Sequence, residues 1–234
     1  MNTVPNPADL QHLDLFTDLP EAALAAIARE ARVRKLPKGT VIFTQGRRAG
    51  FCHALIKGRV RISQADGTGA QLLVRFIGPG DMFGTMALFT DGRYPAEAVT
   101  VLDSVEVSWS EAALRNLMRV YPQIGLNIIG ILGARIREVQ ERLREMSTQR
   151  VECRIANALL RLAERAGQPV AGGTAISFPV MRRDLAEMCG ATLHTVSRVL
   201  TAWQKRKLLT TTRQHLTIRR MATLREIALH QLVE

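Results

Sequence analysis

Between Leu36 and Trp109 the chain meets a glycine every few residues, at positions 39, 46, 50, 58, 67, 69, 78, 80, 84 and 92. A long helix cannot run through such a stretch, because each interior glycine lowers helix stability by about 1 kcal/mol relative to alanine. What stands between the glycines is β-prone: Val41-Ile42-Phe43, His53-Ala54-Leu55-Ile56, Val60-Arg61-Ile62, Leu72-Leu73-Val74-Arg75-Phe76 and Val105-Glu106-Val107. Short runs of this kind, joined by turns, close into an antiparallel barrel or jelly roll. The spacing therefore predicts a β-roll. Ahead of it, residues 9–33 predict a short helical region, with Leu24, Ile27 and Ala31 at helical spacing in an Ala-rich stretch.

After the roll a long helix is predicted from Pro122 to about Met146. Its apolar residues Ile129, Leu132, Ile136, Val139, Leu143 and Met146 are spaced 3, 4, 3, 4, 3, the repeat of a coiled-coil seam. A helix lying on its own domain shows a broader stripe of period 3.6. The seam predicts a homodimer, with Arg135, Arg137, Glu138, Glu141, Arg142, Arg144 and Glu145 left on the outer face. A further helix over roughly Glu152–Ala166 carries Ile155, Leu159 and Leu162 on one side, and the Gly-bearing segment Gly167–Thr174 reads as a loop. With a hinge at Ser147-Thr148, the chain divides into residues 1–121, 122–147 and 148–234.

Charge separates these parts. Lysine and arginine number 32 against 21 acidic residues, and residues 148–234 hold 14 of the basic but only 6 of the acidic ones. A positive field concentrated there attracts a polyanion such as DNA before any specific contact forms. No run of about 18 apolar residues occurs and the N-terminus lacks the regions of a secretory signal, so a cytoplasmic protein without membrane contact is expected. Cys52, Cys153 and Cys189 are too few and too scattered for a disulfide scaffold, and read as isolated buried thiols.

Residues 182–202, RRDLAEMCGATLHTVSRVLTA, fit a helix-turn-helix. Such a motif needs a small residue where two helices touch and a glycine that can take a left-handed turn, and Ala186 and Gly190 stand four apart. Leu185, Cys189, Ala191, Val196 and Val199 fill the interior positions. Thr192 is the expected N-cap of a second helix from about Leu193 to Lys205, which presents Leu193, His194, Ser197 and Arg198 outward. Early residues of such a helix reach base edges in the major groove, where an arginine can fork to guanine O6 and N7. Arg182 is placed as a phosphate contact. Residues 208–219 alternate like a hairpin whose basic tip includes Arg213, a wing lying along the phosphates. Double-stranded DNA is thus the expected partner.

Taken in order, these features resemble the CRP/FNR superfamily of bacterial transcription regulators. The resemblance is carried by Gly58 in LIKGRV, by Gly80-Asp81-Met82-Phe83-Gly84, by Arg154-Ile155-Ala156 and by Thr195-Val196-Ser197-Arg198. It implies an α+β fold: an N-terminal jelly roll of the cyclic-nucleotide-binding kind that senses a small signal, a dimerisation helix, and a C-terminal winged helix-turn-helix. It also implies an effector pocket at Gly84, Thr85, Met86, Pro95, Ala96, Val139 and Gln140, and contact with RNA polymerase if the chain is an activator.

The cyclic-AMP branch of that superfamily uses a glutamate for the ribose and an arginine for the cyclic phosphate. Thr85 and Pro95 take those places here, so the strongest contacts to a phosphate are missing and cyclic AMP is not the expected signal. The cysteine cluster of the iron–sulfur branch has no counterpart in residues 1–51, so no such cluster is expected. A haem-binding branch leaves His12, Cys52, His53 and Met86 to consider as ligands, each of which is equally an ordinary packing or surface residue. Arg93-Tyr94-Pro95-Ala96 together with His194 looks most like regulators of denitrification, which implies nitric oxide or a related oxide, sensed directly or through haem; oxygen, redox state or a metabolite are the alternatives. A cupin-like metal enzyme would need several histidines and a carboxylate inside the roll, and only His53 lies there, so no catalysis is expected.

Overall fold

The computed structural model describes residues 5–212 and 215–229. Two short helices, α1 (Pro7–Leu10) and α2 (Glu21–Arg29), open the chain, and strand β1 (Arg32–Leu36) follows at once. The helical region therefore stops short of residue 33. Residues 32–36 are claimed instead by an antiparallel ladder with β8 (Ser104–Ser110), in register from Arg32 opposite Ser108 to Leu36 opposite Ser104. Ladder bonds formed with a distant strand override local propensity here.

The expected β-roll is present as two four-stranded antiparallel sheets. One has the order β1-β8-β3-β6, with β3 at Phe51–Lys57 and β6 at Met82–Phe83. The other has the order β2-β7-β4-β5, with β2 at Val41–Phe43, β4 at Val60–Ala65, β5 at Gln71–Ile77 and β7 at Glu97–Thr100. One core runs through residues of both sheets together with α2 and α3 (Glu111–Val120). Trp109 is fully buried at its centre, its indole N–H donating to the Ile27 carbonyl at 3.0 Å and its ring meeting Phe16 edge-on at 5.0 Å. That bond secures α2 to the sheet. Gly58 forms the β3–β4 turn at φ +101°; a Cβ there would overlap the Ser104 hydroxyl and lie 2.7 Å from the Asp103 carbonyl.

Helix α4 runs over Pro122–Thr148, its proline at the first position where a missing N–H does no harm. Ile124 and Ile128 are buried in the roll core, and Leu132 is half-buried against it. Ile129, Ile136, Val139, Leu143 and Met146 stand between 52% and 66% exposed. The chain forms two compact units, and the second begins at Glu138, within α4. The reason is charge. Glu138 pairs with Arg165 at 3.0 Å, and Glu145 grips Arg161 through both carboxylate oxygens at 2.5 and 3.1 Å, so charges expected to face solvent instead hold α5 (Val151–Ala166).

In the second unit α5 buries Ile155, Leu159 and Leu162, as its spacing predicts. Residues 167–174, expected to be a loop, fold as a hairpin of β9 (Gly167–Val170) and β10 (Gly173–Ile176). Beyond it lie α6 (Arg182–Cys189), α7 (Leu193–Lys205), β11 (Leu209–Thr212), β12 (His215–Ile218) and α8 (Met221–Leu229). β10 pairs with β12, giving a sheet of order β11-β12-β10-β9. No single helix among the described residues is long and apolar enough to cross a membrane.

Gly58→Ala forces a side chain into a left-handed turn with no room beside Ser104. It should lower stability by about 2–4 kcal/mol, read as a fall in the thermal midpoint of the full chain. An unchanged midpoint would show that this turn can relax.

Candidate nucleic-acid interface and roll interior

Helix α6 starts where the Asp184 carboxylate reaches back to accept from the Met181 N–H at 2.8 Å. It ends at Gly190, whose φ of 57° and ψ of 46° are left-handed, with the Ala191 N–H returning to the Ala186 carbonyl at 3.0 Å. The chain then turns into α7, where the Thr192 hydroxyl accepts from the Thr195 N–H at 3.1 Å. That cap satisfies one of the orphan donors of the first turn. Leu185, Ala186, Cys189, Val196 and Val199 are buried between the helices, while Ala191 is half-buried.

Gly190 is covered from outside by Met146, since a Cβ on the glycine would lie 2.9 Å from the methionine methyl. Nearby, the Cys189 thiol donates to the Arg154 carbonyl at 3.5 Å, and the Arg154 guanidinium donates to the Met146 carbonyl at 3.2 Å. Burial pushes the Cys189 thiol up to about 12. It is a packing residue rather than a reactive one.

Leu193, His194 and Arg198 are exposed on α7 and Ser197 is half-buried. The structure continues their strip with Thr201, Ala202 and Lys205 into one shallow groove along the helix. Sequence reasoning stopped at Arg198, although the same three- and four-residue spacing pointed onward to these positions. Helix α7 carries no acidic residue, so nothing on it opposes an approaching phosphate. Arg182 is exposed in the first turn of α6. Arg213 lies outside the described residues, between β11 and β12.

Inside the roll, His53 is buried. Its Nδ1 lies 2.5 Å from a Glu106 oxygen, the other oxygen of Glu106 accepts from Arg34 at 2.7 Å, and its Nε2 lies 3.2 Å from the Tyr94 hydroxyl. That hydroxyl donates to the Phe51 carbonyl at 3.0 Å. The His53 ring stacks on Phe83 at 5.2 Å, Phe43 stacks on Tyr94 at 3.9 Å, and Gly84 fills the remaining gap, since a Cβ there would come within 2.9 Å of the His53 ring.

The candidate pocket residues divide. Thr85 and Ala96 are buried, Gly84 is half-buried, and Met86 and Pro95 are exposed. The Thr85 hydroxyl has no hydrogen-bond partner among the described residues. Val139 and Gln140 belong to the second unit. Of the four residues considered for haem, His12 and Met86 are exposed, and burial pushes the Cys52 thiol up to about 12, which keeps it from being a thiolate ligand. His53 has the carboxylate behind it that metal-bound histidines favour, but the packed rings and Gly84 leave no space for a macrocycle at its Nε2. As folded, the roll does not fit a haem at this histidine. Among the described residues, no group of three or more His, Cys, Asp or Glu side chains is placed to hold a metal.

Comparison with known proteins follows this anatomy. Residues 33–121 match the cyclic nucleotide-binding domain and residues 153–227 match the Crp-like helix-turn-helix domain. The chain is 30% identical over 195 residues to the cyclic AMP receptor protein of Thermus thermophilus, covering 83% of this chain and 87% of that one. It is 27% identical over 191 residues to the CRP-like cAMP-activated global transcriptional regulator of Mycobacterium tuberculosis, covering 82% and 85%. The solved structure of FixK2 from Bradyrhizobium japonicum shares the fold, with a TM-score of 0.74 at 21% identity over 86% of this chain and 98% of that one. A jelly roll followed by a long helix and a helix-turn-helix defines a DNA-binding regulator rather than an enzyme. The chain belongs to the CRP/FNR family of transcription regulators.

Gly190→Ala should cost about 1–2 kcal/mol for the left-handed backbone, plus the clash with the Met146 methyl. Adding Met146→Ala should remove the clash and leave the backbone part. A double-mutant cycle by urea denaturation measures both, and strict additivity would show that the methyl does not press on the turn.

Proposed function

We propose that the chain is a homodimeric, cytoplasmic transcription regulator that reads an inverted repeat in promoter DNA and responds to a small signal other than cyclic AMP. In this reading residues 1–121 sense, residues 122–147 pair the subunits, and residues 148–234 bind DNA. The observation that carries it is the acid-free, exposed face of α7, held on a capped and tightly packed helix-turn-helix. Arg182, Thr192, Leu193, His194, Ser197 and Arg198 are its contact residues, with Arg213 on the wing.

Pairing rests on α4. Ile129, Ile136, Val139, Leu143 and Met146 leave an apolar stripe in solvent at heptad spacing, which a second copy of the same helix would cover, with Leu132 at its edge. A twofold dimer then sets its two recognition helices about one DNA turn, roughly 34 Å, apart.

For the signal, Pro95 offers no cation to a cyclic phosphate and Thr85 offers only a hydroxyl, which favours a small neutral molecule. The likeness at Arg93-Tyr94-Pro95-Ala96 makes nitric oxide the first to test, acting without haem at His53. As an activator the chain would also contact RNA polymerase.

Ile136→Asp with Val139→Asp sets like charges against each other across the seam at several kcal/mol. Sedimentation should show monomers at micromolar concentration, and a persisting dimer would remove α4 as the interface. Arg198→Ala should weaken binding by about 1–3 kcal/mol per half-site and relax preference at one guanine, whereas Arg182→Ala should weaken all sequences alike and flatten the salt dependence. Electrophoretic shifts at several salt concentrations, with and without nitric oxide, read these effects. An Arg198→Ala protein with unaltered base preference would show that α7 does not read the bases.

A further inference from the structure

The two sheets of the roll each end in an open strand on one side, β5 in one sheet and β6 in the other. Arg75, on β5, reaches from the first to the second, its Nη2 donating to the Met82 carbonyl on β6 at 3.0 Å. Its place in the ladder turns it inward. Arg75 stands opposite Ile62, Ile62 stands opposite Ala98, and directly opposed residues share one face of a sheet. Ile62 and Ala98 both belong to the roll core.

A cation so placed needs a counter-charge, and the protein supplies none. The Arg75 Nη1 is buried without a hydrogen-bond partner, and among the described residues no carboxylate pairs with this arginine. Other shielded arginines are matched: Arg135 meets Asp81 at 3.0 Å, and Arg161 is held by both oxygens of Glu145. An unpaired charge inside a protein is costly, whereas a charge-assisted hydrogen bond to an anion is strong. Three residues beyond Met82 the Thr85 hydroxyl is also buried without a partner among the described residues. Two donors close to β6 in sequence or contact, one charged and one neutral, are thus left open. Their number and charge define what suits them. One guanidinium balances one negative charge, and two donors call for two acceptor oxygens. The ligand is small, because the stacked rings of His53 and Phe83 fill the roll beside Gly84.

We propose that Arg75 and Thr85 form a binding site for a small monovalent oxyanion, a carboxylate or nitrite, with one oxygen accepting from Arg75 Nη1 and the other from the Thr85 hydroxyl. This anion is a ligand of the roll in addition to the neutral signal proposed above, and its site stands independently of that signal. Bound there, it neutralises the charge between β5 and β6 and adds a second bridge to the one that Arg75 makes with Met82.

The test titrates formate, acetate, nitrite and chloride into the full-length protein, each in exchange for gluconate so that ionic strength and screening stay constant. Binding is read by calorimetry and by the rise of the thermal midpoint with anion concentration. The two-oxygen anions should bind more tightly than chloride, which has a single acceptor atom. Because the basic second unit also attracts anions, variants of the roll decide the result. Arg75→Gln, which keeps an N–H donor without the charge, should weaken the two-oxygen anions by about tenfold or more, and Thr85→Val by about fivefold. Arg75→Lys, which keeps the charge, should fall between the wild type and Arg75→Gln. If Arg75→Gln does not fold, Thr85→Val carries the test alone. Tighter binding of formate or acetate assigns the site to a carboxylate, and tighter binding of nitrite to a nitrogen oxyanion. Two-oxygen anions that bind no better than chloride, or variants that bind them as the wild type does, overturn the proposal.

Discussion

The second unit depends on how the end of α4 is gripped by α5. Glu145 meets Arg161 through both oxygens, and Glu138 binds Arg142 and Arg165 together, in a zone where these carboxylates are largely shielded from water. Bidentate, charge-assisted pairs of this kind fix orientation as well as energy. Their net contribution against an apolar pair is small, yet losing one partner would strand a charge at about 3–5 kcal/mol. The pairs therefore serve to define one docking of α4 on α5. From that docking everything nearby takes its place: Met146 over Gly190, the Arg154 guanidinium on the Met146 carbonyl, and the Cys189 thiol on the Arg154 carbonyl. A residue of the exposed apolar stripe of α4 thus lies against the left-handed glycine that aims α7.

The roll obeys a different constraint. Glu106 is fully buried, and an isolated carboxylate could not persist there. Arg34 from β1 and His53 from β3 flank it on either side of β8, so the cluster spans three adjacent strands of one sheet. Tyr94 joins this cluster to the turn before β7, in which its backbone N–H donates to the Arg47 carbonyl and its carbonyl accepts from Gly46. The Thr85 hydroxyl, next in sequence to Gly84, is buried without a hydrogen-bond partner among the described residues.

What the sequence made legible was what local chemistry decides. Glycine spacing announced the roll, the 3-4 repeat announced α4, and the Ala186/Gly190 pair announced the helix-turn-helix with α7 beginning at Leu193 and ending at Lys205. Strand β1 was missed because Arg32–Leu36 becomes a strand only through its ladder with β8, some seventy residues away. The β9–β10 hairpin was missed because its glycines serve geometry, not β propensity: Gly172 turns the chain at φ +75°, and Gly167 and Gly173 lie against the Ala163 and Ile218 backbone, where a Cβ would overlap a carbonyl. The burial of Glu106 was not legible at all, since a glutamate between two valines gives no sign that Arg34 and His53 lie beside it in the folded sheet. The charges of α4 misled for the same reason, their partners being on another helix.

The relatives named for cyclic AMP share the architecture across most of the chain, and this bears on scaffold more than on signal. Identity of 27–30% over most of the chain goes with one architecture, because the roll, the long helix and the turns are enforced by packing and backbone geometry. A ligand pocket is held to no such requirement: a few substitutions among its lining residues alter what it binds while the strands around it stay in register. Thr85 and Pro95 fit that freedom, one lying just after β6 and the other just before β7, outside the strands themselves. Helix α7 shows the same division on a smaller scale. Thr192 caps it and Val196 and Val199 pack it in place, whereas Leu193, His194 and Arg198 are exposed and Ser197 is half-buried, so changes at these four positions leave the packing of the helix intact.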